Sequence, residues 1–159
     1  MKDQNLVPAY RKMLSRAEAT KKKTLHQRID TAIETAVELE ELSREEAENI
    51  GNYLRRDLQD AVKFIVSTEQ ALADWVRFDL ELIEERLLNM FSVMVDQSRL
   101  ELDNLAERAH QATEWHTGEI TGLGTLYCAN CSKPVHFRKP DYIPACPNCE
   151  STLFKRTLE

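Results

Sequence analysis

The stretch Cys128-Ala129-Asn130-Cys131, followed after fourteen residues by Cys146-Pro147-Asn148-Cys149, decides the fold. These two Cys-x2-Cys pairs carry all four cysteines of the 159-residue chain. Each pair folds as a tight knuckle that points two sulfurs and nearby amides at one ion. Four thiolates close a tetrahedral shell, so the spacing predicts one structural zinc ion per chain, held by Cys128, Cys131, Cys146 and Cys149. Iron in a rubredoxin-like site is the chemical alternative, because tetrahedral four-thiolate sites accept either metal. A filled shell leaves no position for water or substrate, which argues against a catalytic metal. His116 and His136 could stand in as ligands, but nothing in the spacing requires them. A thioredoxin-type redox role needs its motif at a helix start in a βαβ setting, which the chain lacks.

Outward from the knuckles, Pro134 to Phe137 reads as a strand, Arg138 to Asp141 as a turn, and Leu153 to Arg156 as a further strand. Tyr127, Phe137, Tyr142, Ile143 and Phe154 can supply a small core. A module of about forty residues buries too little surface to fold alone, so metal binding supplies much of its folding free energy. Just upstream, His116 to Leu126 contains Gly118, Gly122 and Gly124. These suit tight turns or close backbone approach, in a joint that either docks the ribbon or acts as a hinge. A phosphate loop is excluded, since no Lys-Ser/Thr pair follows and the next element is a knuckle.

The remainder reads differently. Between Ala9 and Thr117 there is no proline and one glycine, Gly51. An α/β enzyme fold would need glycine-rich turns throughout. Leu25, Ile29, Ala32, Ala36 and Leu39 recur at helical spacing. The earlier stripe Tyr10, Leu14, Ala17 meets Lys21-Lys22-Lys23, which implies a break or a loosely packed turn. Ser43-Arg44-Glu45-Glu46 is a capping box that starts a new helix. Its stripe runs Ala47, Ile50, Leu54, Leu58, Ala61, Ile65. A third segment begins between Thr68 and Asp74 and carries Trp75, Phe78, Leu82, Leu88, Phe91, Val95, Ser98, Leu102, Leu105 and Ala109, the later steps alternating 3 and 4 as in a coiled-coil seam. Forty such helical residues would span about 60 Å. Ile83, Leu87, Met90 and Met94 form a second apolar line beside the first. It either lies in an intramolecular core or is left over as a dimer seam or partner-binding face. His26 and His110 read as helix residues rather than ligands.

The fold class expected is therefore mainly α: an elongated antiparallel helical hairpin or bundle, coiled-coil-like, over residues 1–116. The joint and four-cysteine zinc ribbon, a small β module, follow over 117–159. Charge is uneven: +6 over residues 1–28, −13 over 29–116 and +1 over 117–159, for a net −6. The acidic middle is unsuited to lying along DNA. No apolar run reaches the length of a signal peptide or a membrane span, so a soluble cytoplasmic protein with no membrane contact is expected, with its cysteines kept for metal by a reducing compartment.

At the joint, His116-x-Gly118-Glu119-Ile120-x-Gly122-Leu123-Gly124-x-Leu126-x-Cys128 and the two knuckles resemble the bacterial YbeL-like zinc-ribbon proteins, a family of uncharacterised function. Glu41-Leu42-Ser43-Arg44-Glu45-Glu46 and Arg55-Arg56-Asp57-Leu58 are similar too. The resemblance implies a helical N-terminal region and a C-terminal ribbon with the four cysteines as ligands. The family usually has glycine after the last cysteine, where a knuckle can need positive φ; here it is Glu150. No reaction or substrate follows from the resemblance. The function expected is a non-enzymatic adaptor or regulator with a structural zinc, acting on a protein partner, with a homodimer through the helices as one form of that contact. One alternative is nucleic-acid binding through His136-Phe137-Arg138-Lys139, Lys155-Arg156 and the basic first helix, although no aromatic residue interleaves Lys21–Lys23 to stack on bases. Another is a redox or metal-handling role.

Overall fold

The computed structural model describes residues 6–20, 24–68, 72–77, 80–98 and 114–156. Helices α1 (Val7–Ala19), α2 (Leu25–Glu38), α3 (Arg44–Thr68), α4 (Leu72–Val76) and α5 (Glu85–Ser98) precede six short strands. These are β1 (Trp115–His116), β2 (Ile120–Thr121), β3 (Gly124–Cys128), β4 (Pro134–Phe137), β5 (Asp141–Tyr142) and β6 (Leu153–Lys155).

Local chemistry sets the helix ends. The Thr24 hydroxyl accepts from the Gln27 N–H, and the Gln27 side chain accepts from the Thr24 N–H, so α2 starts on a capping box. Ser43 and Glu46 do the same for α3, at 3.0 and 3.1 Å, as the Ser-x-x-Glu pattern predicts. Between them, Glu40 takes a left-handed conformation (φ 59°), while its N–H and that of Glu41 bond back to the carbonyls of Val37 and Ala36. This is the Schellman way of ending a helix. It throws Leu39 out to solvent at 58% exposure, so the last member of the α2 stripe is a turn residue.

The α3 stripe from Ala47 to Ile65 is buried at every predicted position. Helix α1 packs against α2, α3 and α5, which makes the helical body a bundle rather than a two-helix hairpin. Gly51 permits the close α2–α3 crossing, since a Cβ there would stand 2.5 Å from Ile33 Cδ1. Arg16 and Lys12 both bond the Glu41 carboxylate and hold it at a pKa of about 2, tying α1 to the α2–α3 turn.

The third segment departs from the continuous helix expected. Arg77 adopts φ 69° and ends α4, and a 3-10 turn (Leu80–Leu82) precedes α5. The cause is side-chain docking. Trp75 turns inward to stack on Phe91 at 5.4 Å and donates to Asp60 at 2.7 Å. The Arg77 guanidinium lies over the rings of Phe64 and Tyr127. Leu82 falls outside the core as a result, at 53% exposure. Ile83, Leu87, Met90 and Met94 are all buried with Phe91 and Val95. The line Ile83, Leu87, Met90, Met94 is thus covered within the chain, while Leu88 of the other line is only partly buried. Lys21–Lys23, Phe78, Leu102, Leu105, Ala109 and His110 lie outside the described residues, as does the Ser98 side chain.

The strands form a four-stranded antiparallel sheet in the order β1-β6-β3-β4 and a separate β2–β5 pair. Cys128 on β3 sits opposite Phe154 on β6, so the first knuckle grows directly out of the sheet. The ribbon core gathers Leu126, Phe137, Ile143 and Phe154 as expected or nearby, plus Trp115 and the sulfurs of Cys128 and Cys146. Tyr127 is only half-buried. Tyr142 is exposed, and its hydroxyl accepts from the Leu6 N–H at 2.8 Å. Ile120 and Leu123 of the joint leave the ribbon and join the helical core.

Candidate metal centre

The two knuckles repeat one backbone pattern. Cys128 N–H bonds to Lys133 C=O and Ser132 N–H bonds back to Cys128 C=O; Cys146 N–H bonds to Ser151 C=O and Glu150 N–H to Cys146 C=O. The residue after each second cysteine therefore sits in the left-handed region, Ser132 at φ 66° and Glu150 at φ 65°. Glu150 occupies that conformation without being glycine, at a cost of roughly 1–2 kcal/mol for a residue with a Cβ. Glu150→Gly is expected to raise the stability of the metal-loaded protein by about 1 kcal/mol, net of the extra chain entropy of glycine. Thermal unfolding with metal in excess checks it, and a fall in the midpoint would contradict the strain.

The knuckles bring the four cysteines together, with one sulfur from each all within 4.8 Å of one another. The Cys128–Cys149 and Cys131–Cys146 sulfurs are 3.5 and 3.6 Å apart. A tetrahedral ion with metal–sulfur bonds of about 2.3 Å separates its sulfurs by about 3.8 Å. The set fits such an ion. Donors surround it: Asn130 and Cys131 N–H groups point at the Cys128 sulfur, and Asn148 N–H at that of Cys146. Desolvation would raise the Cys128 thiol, but these N–H donors and the neighbouring sulfurs bring it down to about 6. The Asn130 side chain crosses to the Cys149 sulfur at 3.3 Å, and the Asn148 side chain bonds Cys131 and lowers its pKa. Cys149 is raised overall, because desolvation and the sulfurs of Cys128 and Cys131 outweigh the Asn130 and Ser151 donors. The paired asparagines escape a reading confined to ligands. Their signal is the same residue at the third position of both knuckles.

This geometry has counterparts. A family model described as zinc-ribbon containing domain matches residues 12–158. The chain belongs to that family. It is 28% identical over 129 residues to the uncharacterized protein YbeL of Escherichia coli K12, covering 80% of this chain and 79% of the relative. The YbeL proteins of the O6:H1 and O157:H7 strains match equally. No solved structure matches.

A second constellation joins the zinc-ribbon module to the helices. Asp57 on α3 is fully buried. Its carboxylate accepts from the Tyr10 hydroxyl (2.5 Å), Trp115 Nε1 (3.0 Å), the Thr121 hydroxyl (3.2 Å to each oxygen) and the Gly122 N–H (2.9 Å). Arg56 Nε and Arg156 Nη2 stand 3.3 and 3.5 Å from Oδ1. Burial alone would raise this carboxyl; the two guanidiniums and the bonds from Tyr10 and Trp115 hold it below the ordinary aspartate value. Asp60, one turn on, is pushed up by burial, with Arg156 and Trp75 offsetting only part. Arg156 is stacked between the rings of Trp75 and Trp115 at 4.5 and 5.0 Å. Arg56 reaches on to Glu119 (2.6 Å) and the Ile120 carbonyl (3.0 Å).

The joint glycines make this approach possible. A Cβ at Gly122 would lie 2.7 Å from the Tyr10 oxygen, and one at Gly124, where φ is +123°, 2.5 Å from Arg156 Nη1. The two similar segments of the family resemblance, around Arg56-Asp57 and Glu119 to Gly124, thus meet in space. These contacts also place the residues considered for nucleic acid. Phe137 is in the ribbon core and Arg156 is spent on the aspartates, while His136, Arg138 and Lys139 are exposed. His136 lies 2.9 Å from the Thr125 hydroxyl, and His26 lies 3.3 Å from the Gln59 amide. His116 lies beside Glu114 and Glu119. Among the described residues, no histidine belongs to the four-cysteine cluster.

Proposed function

We propose that the protein is a non-enzymatic adaptor in which a structural zinc ion, held by Cys128, Cys131, Cys146 and Cys149, shapes a ribbon that receives a segment of a partner protein. The observation that carries this reading is a cleft of about 570 Å³ running beside β4. Leu82 comes from the helical side, Val135 to Lys139 form one wall, and Tyr142 comes from β5. Strand β4 is an edge of the four-stranded sheet. Edge strands offer unpaired N–H and C=O groups to which an extended peptide can add. Leu82 and Tyr142 are exposed apolar side chains on that cleft, at 53% and 38%. Arg138 and Lys139 suit an acidic residue on the incoming strand. Four thiolates leave the metal no open position, so the zinc acts through shape.

A photocrosslinking side chain in place of Leu82, used in cells, tests the site against the same side chain in place of Leu39. Leu39 is equally exposed but does not line the cleft. A discrete crosslinked protein from position 82 and none from position 39 supports the adaptor reading. No adduct from 82, or the same adducts from both, sinks it.

A further inference from the structure

We infer that metal binding in the ribbon is energetically coupled to closure of the helical bundle, with Asp57 as the residue both share. The inference is independent of the cleft and its partner. It rests on where the Asp57 carboxylate finds its donors.

The helices alone supply two groups to Asp57, the Tyr10 hydroxyl from α1 and the adjacent Arg56. The others arrive from beyond residue 114: Trp115 on β1, Thr121 on β2, the Gly122 N–H and Arg156 just past β6. Arg156 also places Nε 3.5 Å from Asp60, so one guanidinium serves the buried Asp57 and the partly exposed Asp60 of α3. A buried carboxylate that loses its partners is strongly destabilising, because water does not replace them.

The position of these donors is set by the knuckles. Strand β6 pairs with β3 at Tyr127 and Cys128, and the Ala129 N–H bonds the Leu153 carbonyl. Trp115 is paired with Phe154 on the other side of β6. Two of the seven buried residues in the ribbon core are the ligands Cys128 and Cys146. A core of that size does not persist without its metal. Once it loosens, β6 takes Arg156 away from Asp57 and Asp60, and β1 takes Trp115. Tyr10 then faces a carboxylate with one guanidinium left, and the α1–α3 contact that it anchors opens. Thr125 adds a second tie, since its hydroxyl donates to the Val76 carbonyl at the end of α4. A metal-free ribbon therefore leaves a loosened bundle, and a closed bundle holds the metal more tightly, as linkage requires.

Hydrogen exchange on the full chain tests this, comparing zinc-loaded protein with protein stripped by a strong chelator under reductant. Amides of α3 around Asp57 are expected to exchange about a hundredfold faster without metal, and to recover when zinc is returned. If the ribbon amides open while α3 stays as protected as in the loaded protein, the coupling is wrong. A second measurement uses zinc affinity, by chelator competition, in Asp57→Asn. Asp57 touches no cysteine, yet the variant is expected to bind zinc about tenfold more weakly. An unchanged affinity overturns the inference, and so does a wild-type protein that binds no zinc.

Discussion

Asp57→Ala is expected to lower the unfolding free energy of the metal-loaded protein by about 3–5 kcal/mol, the usual cost of breaking a buried ion pair from one side. Arg56 and Arg156 lose the carboxylate between them, and Arg156, itself 5% exposed, keeps Asp60 as its one remaining carboxylate beside the Thr121 hydroxyl and the Thr125 carbonyl. The Trp115 indole, the Tyr10 hydroxyl and the Gly122 N–H lose an acceptor in a place that water does not reach. Urea denaturation checks the value. A loss under about 1 kcal/mol would mean that the cluster does not join the ribbon to the helices. The pH dependence gives a second signature. The folded-state pKa of Asp57 is depressed, so its contribution is fully present above the unfolded value of about 3.9 and is lost as the pH falls below it. Asp60 runs the other way: its pKa is raised, so the folded state takes up that proton more readily and gains from it as the pH falls. Removing Asp57 should flatten the acid limb of the stability profile.

The sequence makes some of this architecture legible because its causes are local. A Cys-x2-Cys turn, a Ser43–Glu46 box and the Ala47 to Ile65 stripe each depend on residues within a turn or two of one another. Asp57 is not legible in that way. Helical periodicity places it on the buried stripe, three residues after Leu54 and four before Ala61, where a carboxylate next to Leu58 reads as the edge of the apolar face. What makes it an interior residue is a set of donors from Trp115 to Arg156, up to 99 positions away. The same holds for the break at Arg77. Nothing in Trp75 to Leu82 forbids a helix; the ring stacking with Phe64, Phe91 and Tyr127 outweighs local preference. A paired signal was available at the joint. Arg-Asp in the third helix and Gly-Leu-Gly before the ribbon are both unusual for their settings, an ion pair on a core stripe and glycines with no phosphate to hold. Each accounts for the other once they are in contact.

Cys128→Ser is expected to reduce the metal content from one ion per chain to almost none. A serine hydroxyl stays protonated at neutral pH and offers no thiolate, so the set falls to three ligands. Cys128 is tied to the sheet as well as to the knuckle. It is fully buried at the junction of β3 and the first knuckle, opposite Phe154, and two N–H donors already favour its thiolate. Structural zinc contributes about 10–16 kcal/mol of folding free energy in small ribbon-like modules, more than the remaining core can replace. Asn130→Ala makes the informative comparison. It keeps four thiolates and removes the amide that crosses to the Cys149 sulfur. It should retain one metal per chain with an affinity lower by about 10–100-fold, the range for groups that orient a ligand. Metal analysis after gel filtration separates the two outcomes. Full metal content in Cys128→Ser would remove it from the ligand set, whereas loss of all metal in Asn130→Ala would mean that the asparagine holds the knuckles together before any ion arrives.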